Sequence, residues 1–317
     1  TKAADKKALK FTSAATAAAK KTQKASAGSS YKLLLGAKSA TAVTWSASKL
    51  PSGLKIDKAT GKITGKPTKP GKYTATVTVK SAAGNKISQK VKIYVTVPSG
   101  YYGTFDGYAL VKTTPAYMTF TSDKYGAVSG KVTYKGKGYS FKANYSSTSS
   151  TKSKFTPSIK IGTSIYKPVT YVKKATDGIT VSEARGEQKG KFVFVAQKKP
   201  GLIKAKKALA GMIGKSYTFN KGYKNAGLTK AGDKLKVKFG ETDAVKVSGQ
   251  VKGKKVSFSA SVIYSGKELG KKGDVYTAMV MLVDSMAKYY KRLVFTITVD
   301  PATGKIVKVS KAFGEIE

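Results

Sequence analysis

The sequence predicts an all-β protein: an N-terminal sandwich followed by a duplicated antiparallel β-barrel or sandwich unit. Three observations carry this. Apolar and polar residues alternate in short runs, as in Tyr73, Ala75, Val77 and Val79 against Lys72, Thr74, Thr76 and Thr78. Turn signals rich in glycine and proline punctuate those runs at close spacing. The stretch Val128-Ser-Gly-Lys-Val-Thr-Tyr-Lys-Gly-Lys-Gly-Tyr-Ser-Phe-Lys-Ala143 also returns as Val247-Ser-Gly-Gln-Val-Lys-Gly-Lys-Lys-Val-Ser-Phe-Ser-Ala260, two residues shorter at its Lys-Gly-Lys turn. Each copy reads as two strands, with Tyr139, Phe141 and Ala143 on one face in the first and Val256, Phe258 and Ala260 in the second.

A chain of 317 residues is long enough for two or three domains, and its 40% hydrophobic content supplies cores to fill them. The charge is extreme. Sixty Lys plus Arg against sixteen Asp plus Glu leave a net +44, and Arg185 and Arg292 are the only arginines. Lysine is a strongly hydrated point charge, whereas arginine supplies the planar fork that reads bases and phosphates. The excess therefore reads first as a solvated basic coat. Without cysteine there is no disulfide framework, thiol nucleophile or thiolate metal site. Without histidine the usual general base, the Ser-His-Asp relay and most zinc sites are excluded. No apolar run approaches the roughly 18–20 residues of a spanning helix, so no transmembrane segment is expected. The chain opens on Thr1 with no basic-then-apolar leader, which reads as a processed mature chain.

Residues 1–27 are mostly Ala, Lys, Thr and Ser, with Leu9 and Phe11 as their large apolar side chains. Such a segment becomes ordered by docking, on its own sheet edge or on a neighbouring subunit's. Leu9 and Phe11 are the candidate intersubunit contacts, and strand addition would make the protein a homo-oligomer.

Residues 28–98 form the next domain. Asp57-Lys-Ala-Thr-Gly61 is a tight hairpin, Pro67 and Gly71 open a strand, and Val91, Ile93, Val95 and Val97 repeat the inward alternation, with Trp45 as a core plug. Leu50-Pro51, Gly53-Leu54, Thr60-Gly61, Ile63, Gly65, Pro67, Gly71 and Tyr73 fall at the offsets of the bacterial Ig-like domain family, which residues 29–97 resemble. The resemblance implies an Ig-like β-sandwich, an exported protein of the cell surface or extracellular space, and a spacer or adhesion role with no catalytic residue.

Pro98-Ser-Gly100 is a short linker. Repeat 1, residues 101–200, opens at Tyr102-Gly-Thr-Phe-Asp-Gly-Tyr108, and repeat 2, residues 213–317, echoes it at Tyr217-Thr-Phe-Asn-Lys-Gly-Tyr223. Phe120 to Val128 and Phe239 to Val247 are spaced alike, which matches Phe120 with Phe239. Residues 201–212 read as a connector helix. The repeats look like all-β modules of large secreted bacterial surface proteins. The sequence leaves open whether they close as two barrels or one.

Among carboxylates, Asp57 and Asp300 belong to hairpin turns, and the match of Asp106 with Asn220 suggests a turn role for both. Glu183 with Glu187, and Asp274 with Asp284, are the pairs left for acid–base chemistry, against which ion pairing with lysines is the stronger reading. Calcium-type loops are absent, and neither a metal nor a cofactor is expected. The nineteen tyrosines are more often rim or core than ligand platforms. The basic doublets Lys254-Lys255 and Lys271-Lys272, with Tyr289 and Tyr290, are the candidate contacts for a polyanion such as acidic polysaccharide or nucleic acid. The sequence thus points to a non-enzymatic exported surface protein building a layer, fibre or adhesin, with polyanion binding as the alternative.

Overall fold

The computed structural model describes residues 2–174, 182–198, 211–222, 228–240, 244–270, 273–283, 290–299 and 306–314, and beyond Ser259 it gives backbone and strand register. The chain falls into two compact units: Thr1–Tyr102 with Asp123–Ala127 and Asn144–Phe155, and Gly103–Ser122 with Val128–Ala143 and Thr156–Glu317. The expected all-β architecture is what the sheets show; the connector helix read over 201–212 lies outside the described residues except at Gly211 and Met212, which form a turn.

In the first unit the elements run α1 (Lys2–Ala8), β1 (Lys10–Phe11), α2 (Ser13–Lys20), β2 (Gln23–Ser26), β3 (Tyr31–Leu34), β4 (Ala37–Lys38), β5 (Val43–Ser48), β6 (Leu54–Ile56), β7 (Lys62–Gly65), β8 (Gly71–Ser81) and β9 (Lys86–Thr96). A four-stranded sheet in the order β2-β9-β8-β5 is joined by a three-stranded sheet β3-β7-β6 and the pair β1-β4. Val77, Val79, Val91, Ile93 and Val95 are fully buried against Trp45, Leu54 and Ile63, the inward half of the alternation. Trp45 fills the core as expected, 3% exposed.

The sandwich starts upstream of residue 28, because β2 pairs in parallel with β9 from Gln23↔Ile93 to Ser26↔Thr96. Thr12 caps α2 by accepting from the Ala15 amide at 3.2 Å. The segment docks on its own domain: Leu9 is 5% exposed in the core, and the Phe11 ring lies 6.1 Å from Trp45. Its anchor is Asp5. This buried carboxylate accepts from the hydroxyls of Ser81, Ser39 (2.8 Å) and Thr41 (3.0 Å) and from the Asn85 amide (2.9 Å). The Ser81 bond is the largest cause, with Asn85 next, holding the Asp5 carboxyl well below the usual carboxylate range.

Two segments of the first repeat complete this unit. The Val97 amide donates to the Lys124 carbonyl (2.7 Å), and the Thr148 amide to that of Thr68 (2.7 Å). Tyr145 donates its hydroxyl to the Tyr101 carbonyl, and Tyr101 its own to that of Ser150 at 2.7 Å. Strands β14 (Ser147–Thr148) and β15 (Lys152–Phe155) form the hairpin there.

The second unit holds both repeats. The first contributes β10 (Gly103–Val111), β11 (Thr114–Ser122), β12 (Ala127–Tyr134) and β13 (Lys137–Asn144), then β16 (Ile159–Ile161), β17 (Ser164–Tyr166), β18 (Val169–Lys173), β19 (Glu183–Gln188) and β20 (Phe192–Lys198). The second contributes β21 (Ser216–Asn220), β22 (Lys234–Phe239), β23 (Ala244–Val251), β24 (Lys254–Gly270), β25 (Gly273–Val283), β26 (Tyr290–Val299) and β27 (Ile306–Gly314). Each repeat begins with the same four-strand meander. In the first, the nine-stranded order β13-β12-β11-β10-β20-β19-β18-β15-β14 puts β20, β19 and β18 of this unit beside β10; in the second, β21 to β27 pair in sequence and add three beside β24.

The register corrects the match between the copies. Phe105 faces Phe120, which faces Gly130; Phe219 faces Leu235, which faces Gly249. Leu235 therefore stands where Phe120 does. Phe239 sits four residues further on, paired with Val245 in a longer hairpin. In the first copy the rings of Phe105 and Phe120 stack at 4.8 Å, and Gly130 makes room: a Cβ there would come within 2.4 Å of the Phe141 ring.

Both Lys-Gly turns need a left-handed backbone at two residues, with φ +47° and +77° at Lys135 and Gly136, and +51° and +82° at Lys252 and Gly253. That is the mirror-image turn that suits strand twist, and lysine fits it poorly. Lys252→Asn is expected to stabilise the second unit by about 1 kcal/mol, raising its thermal midpoint by about 2–4 °C. Asp5 gives an acid-sensitive anchor. Its depressed carboxyl contributes stability above the unfolded value near 4, and that contribution is lost as pH falls below about 4. Limited proteolysis of residues 1–21 should therefore accelerate on acidification in the wild type, whereas Asp5→Asn should show rapid cleavage already at pH 7 and less change with pH.

Candidate functional site

A basic face is displayed on the outside of β21–β24. In β22, Leu235, Val237 and Phe239 are buried, so Lys234, Lys236 and Lys238 all point outward and are exposed. Outward positions in one strand recur about every 7 Å, and neighbouring strands lie about 4.8 Å apart. The register then builds a grid: Ser216, Lys238, Lys246 and Ser259 form one row, Thr218, Lys236, Ser248 and Ser257 the next, and Asn220, Lys234, Gln250 and Lys255 the third. None of these positions carries a carboxylate. Lys238 and Lys246 are direct cross-strand partners, a like-charge pairing that costs stability.

A shallow depression of about 450 Å³ opens beside the third row, lined by Lys234, Gln250, Lys255 and Ser257 with Gly232, Gly249 and Val256. Beneath it Asp233, 2% exposed, ties two turns together. It accepts from the amides of Lys230 (2.7 Å), Gly253 (2.9 Å), Thr229 (3.0 Å) and Lys252 (3.1 Å). Burial pushes this carboxyl up, but the donated bonds, that of Gly253 first among them, outweigh burial and leave it lowered to about 2. Asp233 therefore stays ionised and inward, bound to backbone rather than to the lysines above it.

The first copy lacks this face on β10–β12, although Lys142 points outward on β13. At the six equivalent positions it shows Thr104, Asp106, Thr119, Thr121, Ser129 and Lys131, one cation and one anion, where the second shows Thr218, Asn220, Lys234, Lys236, Ser248 and Gln250, two cations and no anion. The Ig-like sheet also shows Lys86, Lys90 and Lys92 outward on β9, but the β8 partners of Lys90 and Lys92 are Thr76 and Thr74, and Thr74, Thr76 and Thr78 separate Lys72 from Lys80.

Of the sequence candidates, Lys255 belongs to the grid. Strand alternation puts Lys254 on the opposite parity, exposed at the hairpin base opposite Val251. Lys271, Lys272 and Tyr289 lie outside the described residues, and Tyr290 is described only as the first residue of β26. Leu9 and Phe11 pack within their own sandwich. Lys234, Lys236, Lys238 and Lys246 were missed because doublets were sought; the signal was a Lys at every second position of Lys234-Leu-Lys-Val-Lys-Phe239.

Among the described residues Asp57, Asp106 and Glu183 are held by neighbouring groups, whereas Asp284 and Asp300 lie outside the described residues and Asp274 is described only as a position in β25. Asp57 caps its turn, accepting from the Thr60 hydroxyl and amide, both 2.7 Å, which with the hydroxyl leading hold it below its usual range. Asp106 is not in a turn as expected but in β10, accepting from the Tyr117 hydroxyl at 2.9 Å. Glu183 pairs with Arg185, and Glu187 is two further positions along β19, so the two glutamates stand about 13 Å apart in extended chain. No cluster of metal-ligand type occurs among the described residues, nor is any described helix long and apolar enough to cross a membrane. A second depression, about 550 Å³, lies on β18–β20 beside Tyr171, Arg185, Glu187 and Val193.

Among solved structures, an alpha-galactosidase/melibiase assignment from Bacteroides fragilis is 27% identical over 23% of this chain and 16% of that one, TM-score 0.22. A second B. fragilis protein assigned as an alpha-galactosidase is 24% identical over 30% of this chain and 20% of that one, TM-score 0.24. The chain thus spans a fifth or less of either protein's length. The SGBP-B protein of the Bacteroides ovatus mixed-linkage glucan utilization locus, solved with a mixed-linkage heptasaccharide, is 10% identical over 92% of this chain and 85% of that one, TM-score 0.20. Likeness of this degree carries no argument about what the present chain does. No curated protein matches it. The family model described as Putative Ig domain matches residues 12–96, the span from the Thr12 cap to the end of β9. Those residues, with their two facing sheets around Trp45, are an Ig-like domain of that family.

Proposed function

We propose that this chain is a non-enzymatic, exported cell-surface protein, a subunit of an extracellular layer, fibre or adhesin in which the Ig-like domain carries a duplicated β unit. The observation that supports this most directly is the Ig-like domain at 12–96. The use of Asp5, Asp57 and Asp233 as backbone and hydroxyl acceptors agrees with it, as does a composition without histidine or cysteine. The second reading, that the protein holds polyanions, is favoured by the grid of Lys234, Lys236, Lys238, Lys246 and Lys255. The two are compatible, since a surface protein can bind the acidic polymers around it.

Protease treatment of intact cells should release fragments of the protein, and cell fractionation should place it outside the membrane; retention in the soluble interior fraction would refute export. Polyanion affinity should fall about 150- to 500-fold between roughly 50 and 200 mM salt, as four to five neutralised charges releasing about 0.9 counterion each require; a salt-independent affinity would count against the second reading. At low salt Lys246→Glu should raise the thermal midpoint by relieving its repulsion with Lys238, by roughly 0.5 kcal/mol, while weakening polyanion binding.

A further inference from the structure

We infer that the β21–β24 face is a binding site for a linear acidic polysaccharide, a reading that rests on the polyanion-binding proposal and gives it a place and a ligand class. Location comes from comparing the copies. On the matched positions of β10–β12 the first copy sets one lysine against one aspartate, with Lys142 outward on β13, whereas the second shows two lysines there and Lys255 on β24 with no carboxylate. A coat that served only solubility would charge both. The second copy also extends its hairpin by one more pair of outward lysines, Lys238 and Lys246, against the rule that opposes unlike charges across strands. Lys80 with Lys86 and Lys10 with Lys38 are like pairings too, so it is the clustering of Lys238 and Lys246 with Lys234, Lys236 and Lys255, rather than the pair alone, that marks this face.

The ligand class follows from what accompanies the lysines. Serine, threonine, asparagine and glutamine occupy the grid between them, which supplies hydroxyl and amide partners for sugar hydroxyls. No outward position of the grid is aromatic, so successive bases have no platform to stack on, and no arginine is there to read a base edge. The face is a sheet rather than a protruding helix or ribbon, so nothing in it enters a nucleic-acid groove. Lysine positions about 7 Å apart along β22, with Lys246 on the strand about 4.8 Å to the side and Lys255 one strand further, suit a chain bearing one carboxylate or sulfate per sugar or disaccharide. The depression beside Lys234, Gln250, Lys255 and Ser257 gives one sugar of that chain a seat.

The test uses the full chain and measures affinity for polygalacturonate, polyphosphate, single-stranded DNA and a neutral glucan at matched salt. One variant, Lys234→Thr/Lys236→Thr/Lys246→Ser, takes its threonines from the first copy, which shows that they suit this sheet position. A second, Lys55→Thr/Lys90→Thr/Lys92→Thr, removes the same charge from exposed strand positions of the Ig-like domain. Thermal unfolding checks that both stay folded. Polygalacturonate should bind tightest of the four, lose about tenfold or more in affinity with the first variant, and change less than about twofold with the second. Equal losses in both variants would overturn the site. Tighter binding of polyphosphate or DNA would overturn the ligand class while leaving the polyanion proposal standing, and no binding of any charged polymer would remove both.

Discussion

A strand that buries every second side chain must show the others to water, and this constraint shapes the chemistry of the whole surface. In β22 the inward residues Leu235, Val237 and Phe239 are fully or nearly fully buried. Their burial, worth about 1.5–3 kcal/mol each, is far larger than the repulsion between neighbouring exposed lysines. The interior therefore dictates the register, and the register lines up the cations. A slip of one residue would drive the lysines into the core and expose the rings, so the basic grid is as precisely placed as the core beneath it.

The two meanders share that constraint and then part. In one repeat the later strands join beside β10, in the other beside β24, so strands that follow the shared hairpin occupy opposite edges of their sheets. This explains why the sequence copies diverge beyond the hairpin. A strand beside β10 and a strand beside β24 meet different neighbours.

The hairpins, the Lys-Gly turns, the Trp45 plug and the inward faces of β8 and β9 were legible because each is written in a few consecutive residues. What escaped the sequence reading is non-local or small. Residues 1–27 resemble a tail because the buried side chains that hold them, Ala15, Ala25 and Ala27 beside Leu9, are mostly methyl groups, and because the partners of Asp5 lie 34 to 80 residues away. Phe239 took the place of Phe120 in the sequence match because the spacing to the following valine is the same; only the pairing of Leu235 with Gly249 shows the hairpin to be longer. The basic face was half legible. Lys255 could be named, but its neighbours across the sheet come from strands whose pairing the sequence alone does not state.

The Ig-like unit includes Asp123–Ala127 and Asn144–Phe155, so the chain passes from one unit to the other at five points rather than at Pro98-Ser-Gly100 alone. A peptidase that severed the backbone at Ser99 would leave a nicked but undivided molecule, because the Val97–Lys124 and Thr68–Thr148 bonds still fasten the pieces. Mechanical load would meet the same arrangement: tension applied through the N-terminus has to strip those segments away before the Ig-like domain can be drawn off, as a stitched seam resists tearing where a single thread would part.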